Sequence, residues 1–225
     1  MTRRELAAMI DHTFLKAAGS PDAVERLCDE ARKYRFACAM VNPAEVARAA
    51  ALLEGSDVRV GTVVGFPLGQ NTVRTKCAEA VEMVEAGALD IDYVLNIRDL
   101  RVKSSETVLE DLMILNLAPK KVSDDVVTKL IVECCYLTDD EKVLACRLAK
   151  KAGFDFVKTS TGFGSGGATP EDVALMRRTV GRTMGVKAAG GIRTLEDAMK
   201  MVAAGANRLG CSAGVDIVES LGTSC

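Results

Sequence analysis

Short apolar runs recur along the chain, separated by stretches in which apolar residues return with helical spacing. Runs centred near residues 13, 39, 61, 93, 131, 156, 186 and 208 are bounded by Gly, Pro or polar clusters, as buried strands are. Val58-Arg-Val-Gly-Thr-Val-Val-Gly65 is the clearest, and Phe36–Asn42, Asp90–Ile97 and Thr128–Cys134 read the same way. The intervening segments open on capping residues. Ser20 followed by Pro21 predicts a helix running to about Tyr34. Thr72, Thr169-Pro170 and Thr194 open others, and Thr138-Asp-Asp-Glu141 has the form of a capping box. Met1–Ile10 predicts a short first helix, and Ser105–Leu117 a helix stopped before Pro119.

Strands that alternate with helices imply a parallel sheet. The strand centres lie roughly 22 to 38 residues apart, the size of one βα unit. Eight such units predict an α/β fold closed into a (β/α)8 TIM barrel, with a short N-terminal helix and residues 1–225 as a single domain. A doubly wound open sheet is the alternative, but no GxGxxG follows the first strand, which weakens a dinucleotide-binding reading.

Composition narrows the function classes. The 225 residues are 48% hydrophobic, enough for one large core, and a formal net charge of −2 gives no electrostatic case for nucleic acid or anionic membrane. Eight cysteines occur without a CxxC pair and with a single histidine, His12, so neither a zinc site nor a disulfide framework is expected. With no secretory h-region and no membrane-length apolar run, a cytoplasmic location is expected.

Candidate chemistry gathers at two strand ends. Phe154-Asp-Phe-Val-Lys158 is an apolar run ending in lysine, followed by Thr159-Ser-Thr-Gly162 and more glycines; Gly185-Val-Lys187-Ala-Ala-Gly190-Gly191 repeats the pattern. A lysine in a buried strand must be paired or neutral, and a neutral lysine can form a Schiff base with a carbonyl. Either lysine alone could instead keep its ammonium in water. Both belong to consecutive predicted strands, however, about 4.8 Å apart. Two ammonium groups at roughly 4 Å repel by about 4 kcal/mol, or about 3 pKa units, so one charged lysine would leave the other partly neutral near pH 7. A carboxylate must then move protons beside the imine. Asp92 is the candidate, with a structural pair to Lys129 as its alternative reading. Asp11 could hold Lys187 or relay a proton, and His12 reads as structural. The glycine loops around Gly162, Gly190-Gly191 and Gly210-Cys-Ser212 suit a phosphate held by backbone N–H groups.

These motifs carry a resemblance. Ile10-Asp-His-Thr13, Val64-Gly-Phe-Pro-Leu-Gly69, Phe156–Gly164 and Val186–Asp197 closely resemble the deoxyribose-phosphate aldolases, class I aldolases of the (β/α)8 barrel fold. The resemblance implies reversible cleavage of 2-deoxy-D-ribose 5-phosphate to acetaldehyde and D-glyceraldehyde 3-phosphate, without metal or organic cofactor. It implies Lys158 as the Schiff-base lysine, Lys187 as the lysine that tunes it, Asp92 as the proton-transfer carboxylate and Asp11 as its relay. It implies Thr161 near a substrate hydroxyl, and Gly162, Gly190, Gly191, Gly210 and Ser212 around the phosphate. Ser212-Ala213 has one hydroxyl fewer than the Ser-Ser frequent in the family. Partners would be phosphorylated sugars and aldehydes, and a homodimer is compatible with a family in which dimers are frequent. The competing readings are another Schiff-base barrel enzyme, such as a transaldolase or dehydratase, and a non-catalytic sugar-phosphate binding protein.

Overall fold

In the computed structural model, which describes residues 1–222, the eight apolar runs are eight strands. They are β1 (Ile10–Phe14), β2 (Cys38–Val41), β3 (Arg59–Val64), β4 (Asp90–Val94), β5 (Val127–Ile131), β6 (Phe156–Lys158), β7 (Gly185–Ala189) and β8 (Arg208–Cys211). Each pairs in parallel with the next and β8 closes on β1, giving a barrel in sequence order. The helices are α1 (Arg3–Ala7), α2 (Ala23–Tyr34), α3 (Val46–Leu52), α4 (Val73–Glu85), α5 (Ile97–Val102), α6 (Ser105–Lys120), α7 (Asp139–Lys151), α8 (Pro170–Val180), α9 (Leu195–Ala203) and α10 (Gly214–Ser220). No helix among the described residues is long and apolar enough to cross a membrane.

Side chains alternate across each strand, so a barrel strand has two different faces. Outward residues such as Val41, Ile91, Tyr93, Leu130, Val186 and Leu209 join the helices in one continuous apolar core. Each such side chain contributes about 1.5–3 kcal/mol by leaving water. The inward face carries a much smaller apolar cluster of Leu15, Cys38, Met40 and Val63. Much of the remaining interior is charged, and the outer core must hold the barrel together around it.

Capping at Thr72, Thr138, Thr169 and Thr194 occurs as expected, with full capping boxes at Thr138 and Thr194. Several boundaries differ from the sequence expectation. Ile10 belongs to β1, not to the first helix. Helix α2 starts at Ala23, because Ser20 turns the chain through its carbonyl and lends its hydroxyl to Arg26 instead of capping. Strand β4 stops at Val94; Asn96 accepts from the Asp99 N–H and caps α5, so Ile97 is helical.

Strand β5 stops at Ile131, and Glu133 lies beyond it in a left-handed conformation (φ 57°). Helix α6 continues through Pro119 to Lys120. Proline there leaves the Leu115 carbonyl without its helical donor, and the buried Tyr93 hydroxyl donates to that oxygen at 2.9 Å.

Candidate active site

Inside the barrel, Asp11, Asp90 and Asp92 face Lys129, Lys158, Lys187, Arg59 and Arg208. Strand register explains the convergence. Lys158 sits opposite Lys187 across β6 and β7, and Asp92 sits opposite Lys129 across β4 and β5. Asp92 Oδ2 accepts from both Lys158 Nζ and Lys187 Nζ at 2.8 Å. The two amines are therefore no more than about 5.6 Å apart, as expected from the sequence. Asp92 Oδ1 lies 3.2 Å from Lys129 Nζ, so Asp92 both touches the lysine pair and makes the structural contact with Lys129.

The three lysines differ in their carboxylate partners, and that difference sorts their roles. Lys129 is braced by Asp90 and Asp92, with Asp11 at 3.9 Å. Lys187 meets Asp11 at 2.5 Å and Asp92 at 2.8 Å. Lys158 has only Asp92, which it shares. Burial works against charge on all three. For Lys129, Asp90 and Asp92 overcome it and hold the ammonium well charged. For Lys187, Asp11 and then Asp92 overcome burial and raise its pKa.

For Lys158, burial is the largest cause and the positive charge of Lys187 adds to it; Asp92 opposes both, and the pKa falls to about 8. Desolvation, more than repulsion between the two amines, thus lowers the Lys158 pKa. Asp92 is also penalised by burial, but Lys129, Lys158 and Lys187 hold its carboxyl well below the usual range. Burial likewise opposes ionisation of Asp11, and Lys187, Lys129 and Arg208 outweigh it. The site thus holds a carboxylate between one firmly charged lysine and one that is readily deprotonated.

Lys158 is the last residue of β6, at the C-terminal mouth of the barrel, and is 3% exposed, whereas Lys187 and Asp92 are fully buried. The β6 and β7 loops meet above it. Gly162 and Gly190 take left-handed conformations (φ 86° for each), as does Gly191 (φ 81°). Gly190 packs against the Gly162 and Gly167 backbones, and its carbonyl accepts from the Ala168 N–H. A Cβ on Gly162 or Gly191 would meet nothing within 4 Å, so these two face open space. The two other expected phosphate residues, Gly210 and Ser212, belong to β8 and the turn after it, with Gly210 paired to Ala189 beside Gly190. Gly210 is within the barrel wall, where a Cβ would come 3.0 Å from Lys187 Cε; its lack of a side chain makes room for that lysine. Ser212 is exposed beyond β8 and borders a groove with His12, Thr13, Arg26 and Glu30.

Thr161 is buried, and its hydroxyl donates to Glu133 while accepting from the Phe163 N–H. Glu133 also accepts from the Thr161 N–H, so one carboxylate anchors the first turn of the β6 loop. Glu133 is not among the expected site residues and shows in the sequence only as a polar residue in an apolar run; Lys129 is expected only as a structural partner of Asp92, which it is. His12 is structural, as expected, with Nε2 at 2.6 Å from Glu30.

Asp11, Cys38 and Asp90 bring ligand atoms within 4.8 Å of one another. Lys129 already meets Asp90 there, and Lys187 and Arg208 meet Asp11, so the donor set is matched to ammonium and guanidinium groups and does not fit a resident metal ion. A groove of about 600 Å3 between α8 and α9 on the outer surface contains none of the barrel lysines.

Comparison with known proteins agrees with this geometry. Residues 6–220 match the DeoC/LacD family aldolase. A deoxyribose-phosphate aldolase from Thermoanaerobacter sp. is 54% identical over 214 residues, covering 95% of this chain and 96% of the relative. One from Bacteroides thetaiotaomicron is 52% identical over 216 residues, covering 96% and 90%. The tetrameric deoxyribose phosphate aldolase from Aeropyrum pernix superposes with a TM-score of 0.89 at 34% identity, covering 100% of this chain and 94% of that one. With matching barrel, matching length and more than half of its residues identical to curated relatives, the chain belongs to the DeoC/LacD family of aldolases.

Proposed function

We infer that this chain is a class I aldolase that reversibly cleaves 2-deoxy-D-ribose 5-phosphate to acetaldehyde and D-glyceraldehyde 3-phosphate. The observation that carries the mechanism is Lys158: buried at the barrel mouth, with a single shared carboxylate and a pKa lowered to about 8. About a tenth of it is neutral at pH 7.

The neutral Nζ attacks C1 of the open-chain sugar, and loss of water leaves an iminium. Removal of the proton from the C3 hydroxyl then breaks the C2–C3 bond. The bonding pair moves into an enamine on Lys158, and C3 leaves as the aldehyde carbon of glyceraldehyde 3-phosphate. Protonation of the enamine at C2 and hydrolysis release acetaldehyde and the free amine. Asp92 moves the protons, because its Oδ2 lies 2.8 Å from the reacting nitrogen. Lys187 stays charged, keeps Lys158 deprotonated and holds Asp92 ionised; Asp11 holds Lys187. Each step uses side chains and water, with no metal or organic cofactor.

The open space beside Gly162 and Gly191 receives the phosphate, with Gly190 setting the loop between them. Gly210 makes room for Lys187 and, with the exposed Ser212 after β8, completes the proposed phosphate site. The test is incubation with 2-deoxy-D-ribose 5-phosphate and chromatographic analysis of products. Acetaldehyde and glyceraldehyde 3-phosphate in equal amounts are expected. Binding without turnover would favour a sugar-phosphate binding protein.

A further inference from the structure

Lys76 lies in the first turn of α4, outside the charged barrel interior, yet it is only 3% exposed. Its stem passes over Gly65, where an added Cβ would come 2.6 Å from Lys76 Cε. Its ammonium donates to the Val94 carbonyl at 2.7 Å. Burial pushes its pKa down to about 8, and Asp99, Glu79 and Asp111 counter that only in part. An apolar side chain of similar length would avoid the cost of burying an amine. The lysine is there for the bond it makes.

That bond sits where the barrel wall opens. Strand β3 pairs with β4 as far as Val64 opposite Tyr93. The next backbone groups are taken by α4: Glu79 accepts from the Gly65 N–H at 2.9 Å, and Lys76 donates to Val94. Lys76 and Glu79 are three residues apart, on one face of the helix. Helix α4 thus keeps hold of β4 where β3 leaves it. On the other side β5 holds the strand, through Val94 opposite Ile131 and the Leu95 N–H on the Ile131 carbonyl at 2.9 Å.

Val94 follows Asp92 by two residues, so their side chains share the inward face. Asp92 is drawn by Lys129 at 3.2 Å and by Lys158 and Lys187 at 2.8 Å. Without Lys76 this end of β4 would be held from the β5 side alone, and the Asp92 carboxylate would be free to shift under that pull.

We propose that Lys76 is a positioning residue for proton transfer by Asp92: its bond to the Val94 carbonyl fixes the end of β4, so that Asp92 stays aligned with the imine carried by Lys158. This rests on the aldolase reading above. The imine itself forms on β6, which Lys76 does not touch, so Lys76 bears on the steps that follow. With acetaldehyde alone one such step can be isolated. The iminium loses a C2 proton to Asp92, the C–H pair becomes the enamine double bond, and return of a deuteron from D2O labels the methyl group.

The test compares wild type, Lys76→Met and Lys76→Arg in three assays: cleavage kinetics, deuterium uptake by acetaldehyde followed by NMR, and borohydride trapping on Lys158. In Lys76→Met, kcat and deuterium uptake should both fall about 10- to 100-fold, as for a misplacement of about 1 Å. KM and the trapped fraction should stay within about twofold, and Lys76→Arg should recover most of the loss. Gly65→Ala, whose Cβ would push the Lys76 stem aside, should give the same pattern and serves if Lys76→Met does not fold. A lower Tm with kcat and deuterium uptake unchanged would overturn the proposal and leave Lys76 a stabilising residue only. So would a loss of trapping equal to the loss of kcat. A wild type without turnover or deuterium uptake would instead overturn the aldolase reading, and this inference with it.

Discussion

Replacing Lys187 with methionine keeps most of the side-chain volume and removes its charge. The structure sets the size of the consequence. Both amines contact the same Asp92 oxygen at 2.8 Å, so their separation is at most about 5.6 Å. At an effective dielectric of about 20, that repulsion is about 3 kcal/mol, or about 2 pKa units. Lys158 should therefore rise from about 8 towards 10, since burial remains but its like-charged neighbour is gone. The sign follows directly: the nucleophile is the deprotonated amine, so kcat/KM rises with pH as Lys158 loses its proton. In the wild type the rise should centre near 8, and in Lys187→Met near 10. At pH 7 the neutral fraction falls from about one tenth to about one thousandth, a loss of about 100-fold that high pH recovers. The assay is initial-rate cleavage of deoxyribose 5-phosphate from about pH 6 to about pH 10, with thermal denaturation to confirm folding. Loss of activity with the midpoint still near 8 would refute the argument that Lys187 acts on Lys158 through charge.

Three further outcomes are expected. Asp92→Asn removes the carboxylate that opposes deprotonation of Lys158, so the amine should titrate lower; imine trapping should persist at neutral pH while turnover drops by 100-fold or more, as rate and trapping measured side by side would reveal. Glu133→Gln retains an acceptor for Thr161, whereas Glu133→Ala frees the β6 loop; KM for the phosphorylated sugar should rise clearly only in the alanine variant, and equal KM values would remove the loop-anchoring role. Tyr93→Phe leaves the Leu115 carbonyl without a partner in the core and should cost about 1–3 kcal/mol, read as a Tm lower by several degrees with kcat unchanged.

The barrel is legible because each strand is a compact apolar run and α4, α7, α8 and α9 open on threonine caps. The lysine pair was legible because lysine is conspicuous in such runs. What escaped the sequence depends on partners distant along the chain. Pro119 reads as a helix stop unless Tyr93, 26 residues earlier, is known to satisfy the carbonyl it orphans. Glu133 looks like one more strand residue; its left-handed backbone and grip on Thr161 arise only once β5 and β6 are aligned. The Asp92–Lys129 contact is foreseen, but the second partner, Asp90, follows only from the strand register. Gly210 has a packing reason the sequence does not show: a side chain there would press on Lys187 and Ala189 of the neighbouring strand.

The account rests on the identity of the lysine that bonds the substrate. Borohydride reduction in the presence of acetaldehyde or deoxyribose 5-phosphate, followed by peptide mass mapping, reads it directly. A stable adduct on Lys158, absent in Lys158→Ala, is the predicted result. An adduct on Lys187 would reverse the two roles, and no adduct on folded, substrate-binding protein would contradict the Schiff-base mechanism altogether.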